Sequence, residues 1–288
     1  MVQAAVIIPH YNDTVRLEKC LAALMPQAAG RPVEVAVIDN GSTEDLGPLK
    51  ARFDGVLWLD EADKGAAPAR NTGVAATTAP RLFFIDADCI PAPDWLETAL
   101  GLEATDGMIG GRVDVFDETP PPRSGAEAFE TVFAFPQEMY VRTKGFSVTA
   151  NLLSTRAVFE AVGPFDKRVV EDSDWCQRAG RMGYPIRYED RLVVAHPTRQ
   201  DWAALRRKWY RTNNENYFAN GTGALDRLRW GARGVAVILS GPVHVPRVLG
   251  HGALSGLEKR RAVRTLLGLR LARGLWMLRQ MIFGDTRV

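Results

Sequence analysis

Short apolar segments typical of β-strands alternate with helix-like segments through the first 90 residues of this 288-residue chain. The apolar segments are residues 4–8, 33–38, 56–59 and 82–85. Apolar residues from Leu17 to Leu24 recur at helical spacing, and residues 65–78 form a second helix-like segment of small side chains. Strands that alternate with helices indicate a mostly parallel, twisted sheet flanked by helices. The chain is therefore predicted to be an α/β protein.

Polar residues follow the predicted strands where they end. They are Pro9 to Asp13, Asp39 to Ser42, and Asp86 to Asp88. In parallel sheets, ligands bind beyond the carboxyl ends of the strands. The repeated coincidence predicts a binding crevice at that edge.

Asp86 and Asp88 follow directly after an apolar strand. Because they are two positions apart in an extended chain, their carboxylates point to the same side. Their repulsion favours a cation between them, and Mg²⁺ is usually held by one or two carboxylates together with substrate phosphates. The alternative is an ordinary solvated turn before Pro91.

Missing motifs argue against several other classes of site. No Gly-x-Gly-x-x-Gly follows the first strand, no P-loop motif occurs, and the motifs of zinc and serine hydrolases are absent. Three widely spaced cysteines form neither a metal-ligand pattern nor a disulfide framework. With no recognisable signal-like leader, these features predict a cytoplasmic location.

The charge is distributed unevenly along the chain. Residues 1–198 contain 19 Lys and Arg against 29 Asp and Glu, a balance of −10, whereas residues 199–288 contain 17 against 5, a balance of +12. The last third is therefore expected to meet an anionic partner. The acidic first part and the lack of a recognition motif argue against nucleic acid.

Six segments resemble the motifs of family 2 glycosyltransferases, which are inverting enzymes with the GT-A fold. They are Val6–Asn12, Val37–Thr43, Lys64–Gly73, Phe84–Asp88, Gly163–Asp166 and Glu171–Cys176. The resemblance covers roughly the first 200 residues. It implies a metal-dependent enzyme using a nucleotide sugar, most simply UDP-linked. We expect a GT-A catalytic domain over residues 1–220 and a basic helical extension over residues 221–288.

The resemblance implies donor-binding roles for Pro9, Tyr11, Asp39, Lys64, Arg70 and Asp86. Asp39 can accept the imide N–H of uracil while Tyr11 packs on the base; the alternatives are an Asx turn and a half-buried aromatic residue. Lys64 and Arg70 flank a helix start that favours phosphate, although small residues there also permit tight packing. Asp88 is the expected ligand of Mn²⁺ or Mg²⁺, and Asp86 is expected to contact the ribose or the metal's water shell.

Asp172 is the expected catalytic base. Glu171 and Asp172 begin a predicted helix, whose N-terminal end favours an ionised carboxylate. Such a carboxylate can take the proton of an acceptor hydroxyl as the oxygen attacks the anomeric carbon. Ordinary N-capping is the alternative. The resulting single displacement inverts the configuration without a nucleophilic residue.

Five further residues are candidates with plain structural alternatives. Thr149 and Asn151, in a strand predicted over residues 146–153, are expected with Glu171 on the acceptor side, although strand polar groups are often satisfied by the backbone. His196, after a strand predicted over residues 186–194, can complete the metal site or be an ordinary polar residue. Arg207 and Arg211 share a face of a helix predicted over residues 202–218, and can bind a donor or lipid phosphate or form a solvated face.

The C-terminal extension has two open interpretations. Residues 257–283 mix leucines with basic residues, which favours a helix on an anionic membrane surface at the inner face of the cell membrane. The alternative is packing on the catalytic domain or on a second subunit of a homo-oligomer. Residues 234–250 are apolar but shorter than the roughly 20 residues of a spanning helix.

The whole sequence predicts an inverting, metal-dependent glycosyltransferase that adds one sugar to a hydroxyl of a glycan or lipid-linked acceptor, in polysaccharide or glycolipid synthesis. The Gln-x-x-Arg-Trp pattern of processive synthases is missing. A sugar-nucleotide pyrophosphorylase is disfavoured because Pro9–Asn12 stands where that class has a Gly-rich loop. A silent nucleotide-sugar-binding protein is disfavoured because Asp88 and Asp172 are both present.

Overall fold

The computed structural model describes residues 2–103 and 107–284, which form two compact units. The first consists of the described residues up to Asp114 together with Phe135–His196. The second consists of Val115–Ala134 and the described residues from Pro197 onward. This division differs from the predicted boundary at residue 220, because residues 197–220 belong with the C-terminal helices.

The first unit is built on a sheet in which the described residues supply eight strands. The strands are β1 Ala4–His10, β2 Val33–Asp39, β3 Leu57–Asp60, β4 Arg81–Ile85, β5 Ile90–Pro91, β6 Met108–Phe116, β7 Asn151–Thr155 and β8 Ile186–Pro197. Their order is β3-β2-β1-β4-β7-β6-β8-β5. Strands β3, β2, β1 and β4 are parallel, whereas β7 is antiparallel to β4 and β6, and β5 to β8. The predicted α/β class is confirmed, with a mixed sheet.

Helices flank the sheet within the first unit, and other helices make up most of the second unit. They are α1 Thr14–Ala28, α2 Gly47–Arg52, α3 Ala66–Ala76, α4 Trp95–Gly101, α5 Gly125–Phe133, α6 Gln137–Lys144, α7 Arg156–Val162, α8 Glu171–Arg181, α9 Trp202–Asn220, α10 Ala224–Val243, α11 Val245–Leu249 and α12 Gly256–Phe283. The helices predicted at α1, α3, α8, α9 and α12 are confirmed. None of the described helices is long and apolar enough to cross a membrane.

Two apolar cores cover the two faces of the sheet, since successive strand residues point to opposite sides. Val6 of β1 packs in the core that includes Leu17 of α1. Its neighbour Ile7 belongs to the other core, which includes Trp175 of α8. All four of these side chains are fully buried. The sheet therefore provides a rigid base for the loops at its edge.

Helix α3 lies unusually close to the sheet. A Cβ at Gly73 would come within 2.7 Å of side-chain atoms of Ile7 and Ile38. Only glycine permits that approach, because a larger residue would push α3 away from β1 and β2. The small residues of α3 thus serve the tight packing that the sequence suggested.

In the second unit, α10 and α12 pack against each other in antiparallel directions. Gly231 of α10 faces Met281 of α12 at one end of the contact, and Gly241 faces Leu267 at the other. Glycines at these positions let the two helices approach closely. The pair forms an extended two-helix layer.

Candidate active site

The ends of β1 and β2 lie side by side and carry the first group of site residues. The parallel register places His10 opposite Asp39. Asn40, the next residue, ties its loop to the one after β3 by donating to the carbonyl oxygens of Glu61 and Asp63 at 3.0 and 2.8 Å. The polar ends of three strands thus meet at one edge of the sheet.

His10 and Ser42 fix the carboxylate of Asp39. The backbone N–H of Asp13 donates to His10 Nε2 at 3.2 Å, so the proton of the neutral ring lies on Nδ1. Nδ1 is 3.4 Å from Asp39 Oδ1. The Ser42 hydroxyl donates to the same oxygen at 2.5 Å, and the Ser42 N–H is 3.2 Å from both carboxylate oxygens. Oδ1 is therefore saturated with donors, and Oδ2 remains the better acceptor for a ligand.

Lys64 and Tyr11 lie beside this carboxylate's loop. Lys64 Nζ donates to the carbonyl oxygens of Asn40 and Gly41 at 2.9 and 3.0 Å. It stands 4.8 Å from the centre of the Tyr11 ring, which is 56% exposed. Pro9, which lies in β1 two positions before Tyr11, is half-buried. An exposed ring next to an ammonium group is suited to stacking with a base near a phosphate.

Arg70 of α3 is 3% exposed and joins α3 to the loop after β4 and to α8. Its Nη2 donates to Asp86 Oδ1 at 2.6 Å, and its Nη1 donates to Glu171 Oε1 at 3.1 Å. Burial acts to lower the pKa of Arg70, but the charges of Asp86 and Glu171 outweigh it and raise that pKa. Arg70 and Asp86, both expected to contact the donor, are paired with each other, and Arg70 is a fixed cation beneath the crevice.

Asp172 lies in the first turn of α8. The N-cap residue is Val170, without a side-chain capping bond, and Asp172 accepts instead from the N–H of Ser173 at 2.6 Å. Burial, and then the charge of Glu171, raise the pKa of Asp172 to about 7, against opposing effects of that N–H and of Arg70. The N-capping alternative therefore does not apply, and the carboxyl group titrates where a general base is most effective.

Asp88 and His196 form a second acidic and basic pair at the crevice. His196 Nε2 lies 3.3 Å from Asp88 Oδ2. The imidazole is nearly buried and its ring packs 4.7 Å from that of Phe135. No three His, Cys, Asp or Glu side chains of the described residues are grouped as a metal site. A carboxylate oxygen beside an imidazole nitrogen fits a divalent cation whose other ligands come from substrate phosphate and water.

Two buried thiols lie beneath the aspartates. Cys20 Sγ is 3.9 Å from the carbonyl oxygen of Asp86, and Cys89 Sγ is 3.9 Å from Asp88 Oδ1. Burial, and then the charges of Asp88 and Asp86, raise the pKa of both thiols. Both stay protonated, so neither is a nucleophile or a thiolate ligand in this state.

The expected acceptor residues Thr149 and Asn151 do not line an open surface. The strand predicted from residue 146 is wrong at its start, because residues 149–150 form a turn and β7 begins at Asn151. Thr149 is buried. Asn151 is fully buried, accepts from Trp95 Nε1 at 3.0 Å, and donates to the carbonyl oxygens of Arg112 and Leu192 at 2.9 Å each. Its amide group links strands within the core and is not accessible to a sugar.

Arg207 and Arg211 belong to the second unit. Both are exposed on α9, and Arg211 Nε lies 3.6 Å from Glu215 Oε1. This exposed position is compatible both with binding of a donor or lipid phosphate and with a solvated basic face.

Sequence reasoning missed the residues that hold the site residues in place. His10, Ser42 and Asn40 stood inside recognised segments but received no role. Their partners are 3 to 32 residues away along the chain. The available signal for His10 was a histidine at the end of an apolar strand, beside other polar residues.

Two solved structures share the architecture of this chain. A mannosyltransferase from Pyrobaculum calidifontis, in complex with GDP-Man and Mn²⁺, matches 99% of this chain and 76% of its own with a TM-score of 0.56 at 18% identity. The S. aureus protein TarS, in complex with UDP-GlcNAc, matches 94% of this chain and 73% of its own with a TM-score of 0.53 at 13% identity. These likenesses establish a GT-A-like fold for this chain.

The chain belongs to glycosyl transferase family 2, whose sequence pattern matches residues 5–162. It is 28% identical over 215 residues to the glycosyltransferase AglE of Haloferax volcanii, covering 71% of this chain and 70% of that protein. It is also 28% identical over 289 residues to a pre-mycofactocin glycosyltransferase of Mycobacterium tuberculosis, covering 94% of this chain but only 57% of that protein. The recognised family and the enzyme class, a glycosyltransferase, are thereby confirmed.

Proposed function

We propose that this chain transfers one sugar from a UDP-linked donor to a hydroxyl of a glycan or lipid-linked acceptor, with inversion and with a divalent metal. The observation that carries the proposal is the group around Arg70. A buried cation holds Asp86 and Glu171 beside Asp172, whose pKa is raised to about 7. A nucleotide-type crevice thereby gains a carboxylate suited to take up a proton near neutral pH.

The donor is bound at the ends of β1 and β2 in this proposal. Asp39 Oδ2 accepts an N–H of the base, and the exposed Tyr11 ring stacks on it. Lys64 and Pro9 shape the same pocket, and the ammonium group of Lys64 faces the donor phosphates. Asp86 is held by Arg70 with its second oxygen turned to the ribose.

Asp88 and His196 are the residues proposed to hold Mn²⁺ or Mg²⁺. When bound, the metal neutralises the diphosphate as negative charge develops on the leaving group. The chain's contribution is one carboxylate oxygen and one imidazole nitrogen, 3.3 Å apart. Asp88 and His196 are assigned to the cation because of the chemistry of these two donor atoms.

Asp172 acts as the general base. It removes the proton of the acceptor hydroxyl while the oxygen forms its bond to the anomeric carbon. The bond from that carbon to the diphosphate breaks with its electron pair leaving on the diphosphate, so one displacement inverts the configuration. Glu171 keeps the pKa of Asp172 high and stays bonded to Arg70.

The proposed setting is the synthesis of cell-surface polysaccharide or glycolipid in the cytoplasm, at the inner face of the membrane. The missing processive motif supports transfer of a single sugar. The basic balance of residues 199–288 supports an anionic surface as partner. Family membership supports transfer over the pyrophosphorylase and silent-binder alternatives.

Replacing Asp172 by Asn tests the proposal. A screen of UDP-, GDP- and dTDP-sugars for hydrolysis identifies the donor. With that donor, Asp172→Asn should lower transfer by about 100-fold or more while leaving donor affinity within about twofold. Asp174→Asn is the matched control, because that carboxylate pairs with Arg178 at 2.8 Å.

Two results would contradict the proposal. Equal loss of transfer and donor binding in Asp172→Asn would make Asp172 a structural residue. Failure of calorimetry to detect Mn²⁺-dependent binding of any nucleoside diphosphate would remove the metal-dependent donor site altogether.

A further inference from the structure

Helices α10 and α12 carry a large share of the exposed apolar side chains. Of the twenty large apolar residues exposed in the described part of the chain, eleven lie on these two helices. They are Leu225, Leu228, Val235, Leu239 and Val243 on α10, and Leu257, Leu267, Leu271, Leu275, Ile282 and Phe283 on α12. Scattered exposed apolar residues are normal, whereas a contiguous set marks an interaction surface.

Apart from Phe283, which ends α12, these side chains form one stripe on each helix. The exposed residues from Leu225 to Val243 are separated by 3, 7, 4 and 4 positions, and those from Leu257 to Ile282 by 10, 4, 4 and 7. At 3.6 residues per turn, such intervals keep each set within about a quarter of the helix circumference. We call the two sets the α10 stripe and the α12 stripe.

Both stripes lie on the side of the helix pair that faces away from α9. Helix α9 packs on the other side, where Asn213 donates to Gln280 of α12 at 3.1 Å and the Tyr217 ring lies 5.9 Å from that of Trp230 of α10. By helical periodicity, Trp230 is opposite the α10 stripe and Gln280 is opposite the α12 stripe. The two stripes therefore form one continuous open face.

Arginines belong to the same face. Arg260 and Arg264 are exposed and fall within the α12 stripe near its N-terminal end. Residues 224–284 contain 11 Lys and Arg but only two acids, Asp226 and Glu258. Glu258 is 6% exposed and caps α12, so it does not offset the charge of the face.

From this combination we infer that the α10 and α12 stripes dock on an anionic phospholipid bilayer. Leucines enter the boundary between head groups and acyl chains, and arginines contact the lipid phosphates. A second copy of the chain is a poorer occupant, because two faces of the same positive charge repel each other. The inference rests on and deepens the proposed setting at a membrane, whereas the chemistry of sugar transfer does not require it.

Vesicle sedimentation with the whole 288-residue chain tests the inference. We expect the wild type to bind vesicles of phosphatidylcholine with phosphatidylglycerol, to bind little to phosphatidylcholine alone, and to lose most of its binding at high salt.

The double variant Leu239→Ser/Leu271→Ser should lower the bound fraction by about tenfold or more. Arg260→Gln/Arg264→Gln should do the same by removing charge. The matched controls Val15→Ser and Arg181→Gln, which change an exposed apolar and an exposed basic residue on helices of the first unit, should bind as the wild type does.

Nucleoside diphosphate binding and circular dichroism of each variant separate lost docking from lost folding. Equal binding to both vesicle types, or none, by the wild type overturns the inference. So does a wild-type dimer that the stripe variants convert to monomers without a change in vesicle binding. Wild-type protein that hydrolyses a donor but does not bind vesicles contradicts the docking inference alone. Wild-type protein that binds vesicles but hydrolyses no donor contradicts the proposed function alone.

Discussion

Asp39 presents a donor base with two oxygens that differ in capacity. Three donor groups converge on Oδ1, from His10 Nδ1, the Ser42 hydroxyl and the Ser42 N–H. Uracil offers one ring N–H and can use Oδ2 alone, whereas guanine offers a pair of N–H groups that needs both oxygens. We therefore expect UDP to bind more tightly than GDP. His10→Leu should weaken UDP binding by about tenfold and reduce the preference for UDP over GDP by about tenfold. Calorimetry in the presence of Mn²⁺ measures both affinities.

Thr43→Ala is the control for this change, because Thr43 bonds to Asn12 and not to Asp39. It should leave both affinities near the wild-type values. Unchanged nucleotide preference in His10→Leu would show that His10 does not position Asp39.

The pKa of Asp172 gives transfer a defined pH dependence. The base must be ionised, so kcat/KM should rise with pH through about 7 and be lost below it. The second cause of the raised pKa is the charge of Glu171. Glu171→Gln should therefore lower the pKa of Asp172 and move the rising limb to lower pH. Rate profiles from about pH 5 to 9 measure this, and a limb that stays in place would contradict the role given to Glu171.

At the residue scale, the sequence pointed to polar residues at the ends of predicted elements. Asp39 and Asp88 were predicted because they follow apolar strands, and Asp172 because it begins a predicted helix, each together with the family resemblance. Roles for the partners His10 and Ser42 were not predicted, since these roles depend on contacts between separate loops. Asn151 was misjudged because a polar residue beside a strand looks the same in sequence whether it faces a ligand or bonds within the core.

At the scale of elements, Arg70 connects α3, the loop after β4, and α8. Removing it leaves Asp86 and Glu171 close together without the cation between them. Because this change leaves two partly exposed carboxylates without their buried partner, Arg70→Met should lower the free energy of unfolding by about 1–3 kcal/mol in urea titrations.

Arg168→Met is the comparison for this variant. Arg168 also pairs with a carboxylate, Asp166, but its side chain is 82% exposed, so the unfolding midpoint should barely move. Similar midpoints for both variants would contradict the connecting role of Arg70.

The order of elements was more predictable than their pairing. Helices such as α1 and α8 show their boundaries through local spacing and end signals. The antiparallel placement of β7 between β4 and β6 depends on contacts far apart in sequence. The register of these strands therefore appeared only in the structure.

At the scale of the whole molecule, the chain contains a glycosyltransferase fold and a basic helical unit. The charge asymmetry of the sequence anticipated the second unit, but its boundary depended on side-chain contacts such as that of Asn213 with Gln280. Residues 115–134 also join that unit, which a linear division at residue 220 could not express.

The anomeric configuration of the transferred or hydrolysed sugar distinguishes single displacement from retention. Proton NMR recorded before mutarotation would follow the reaction of an α-linked donor found in the hydrolysis screen. We expect a β-configured product from the wild type and no detectable product from Asp172→Asn over the same period. An α-configured product would contradict single displacement with Asp172 as the base.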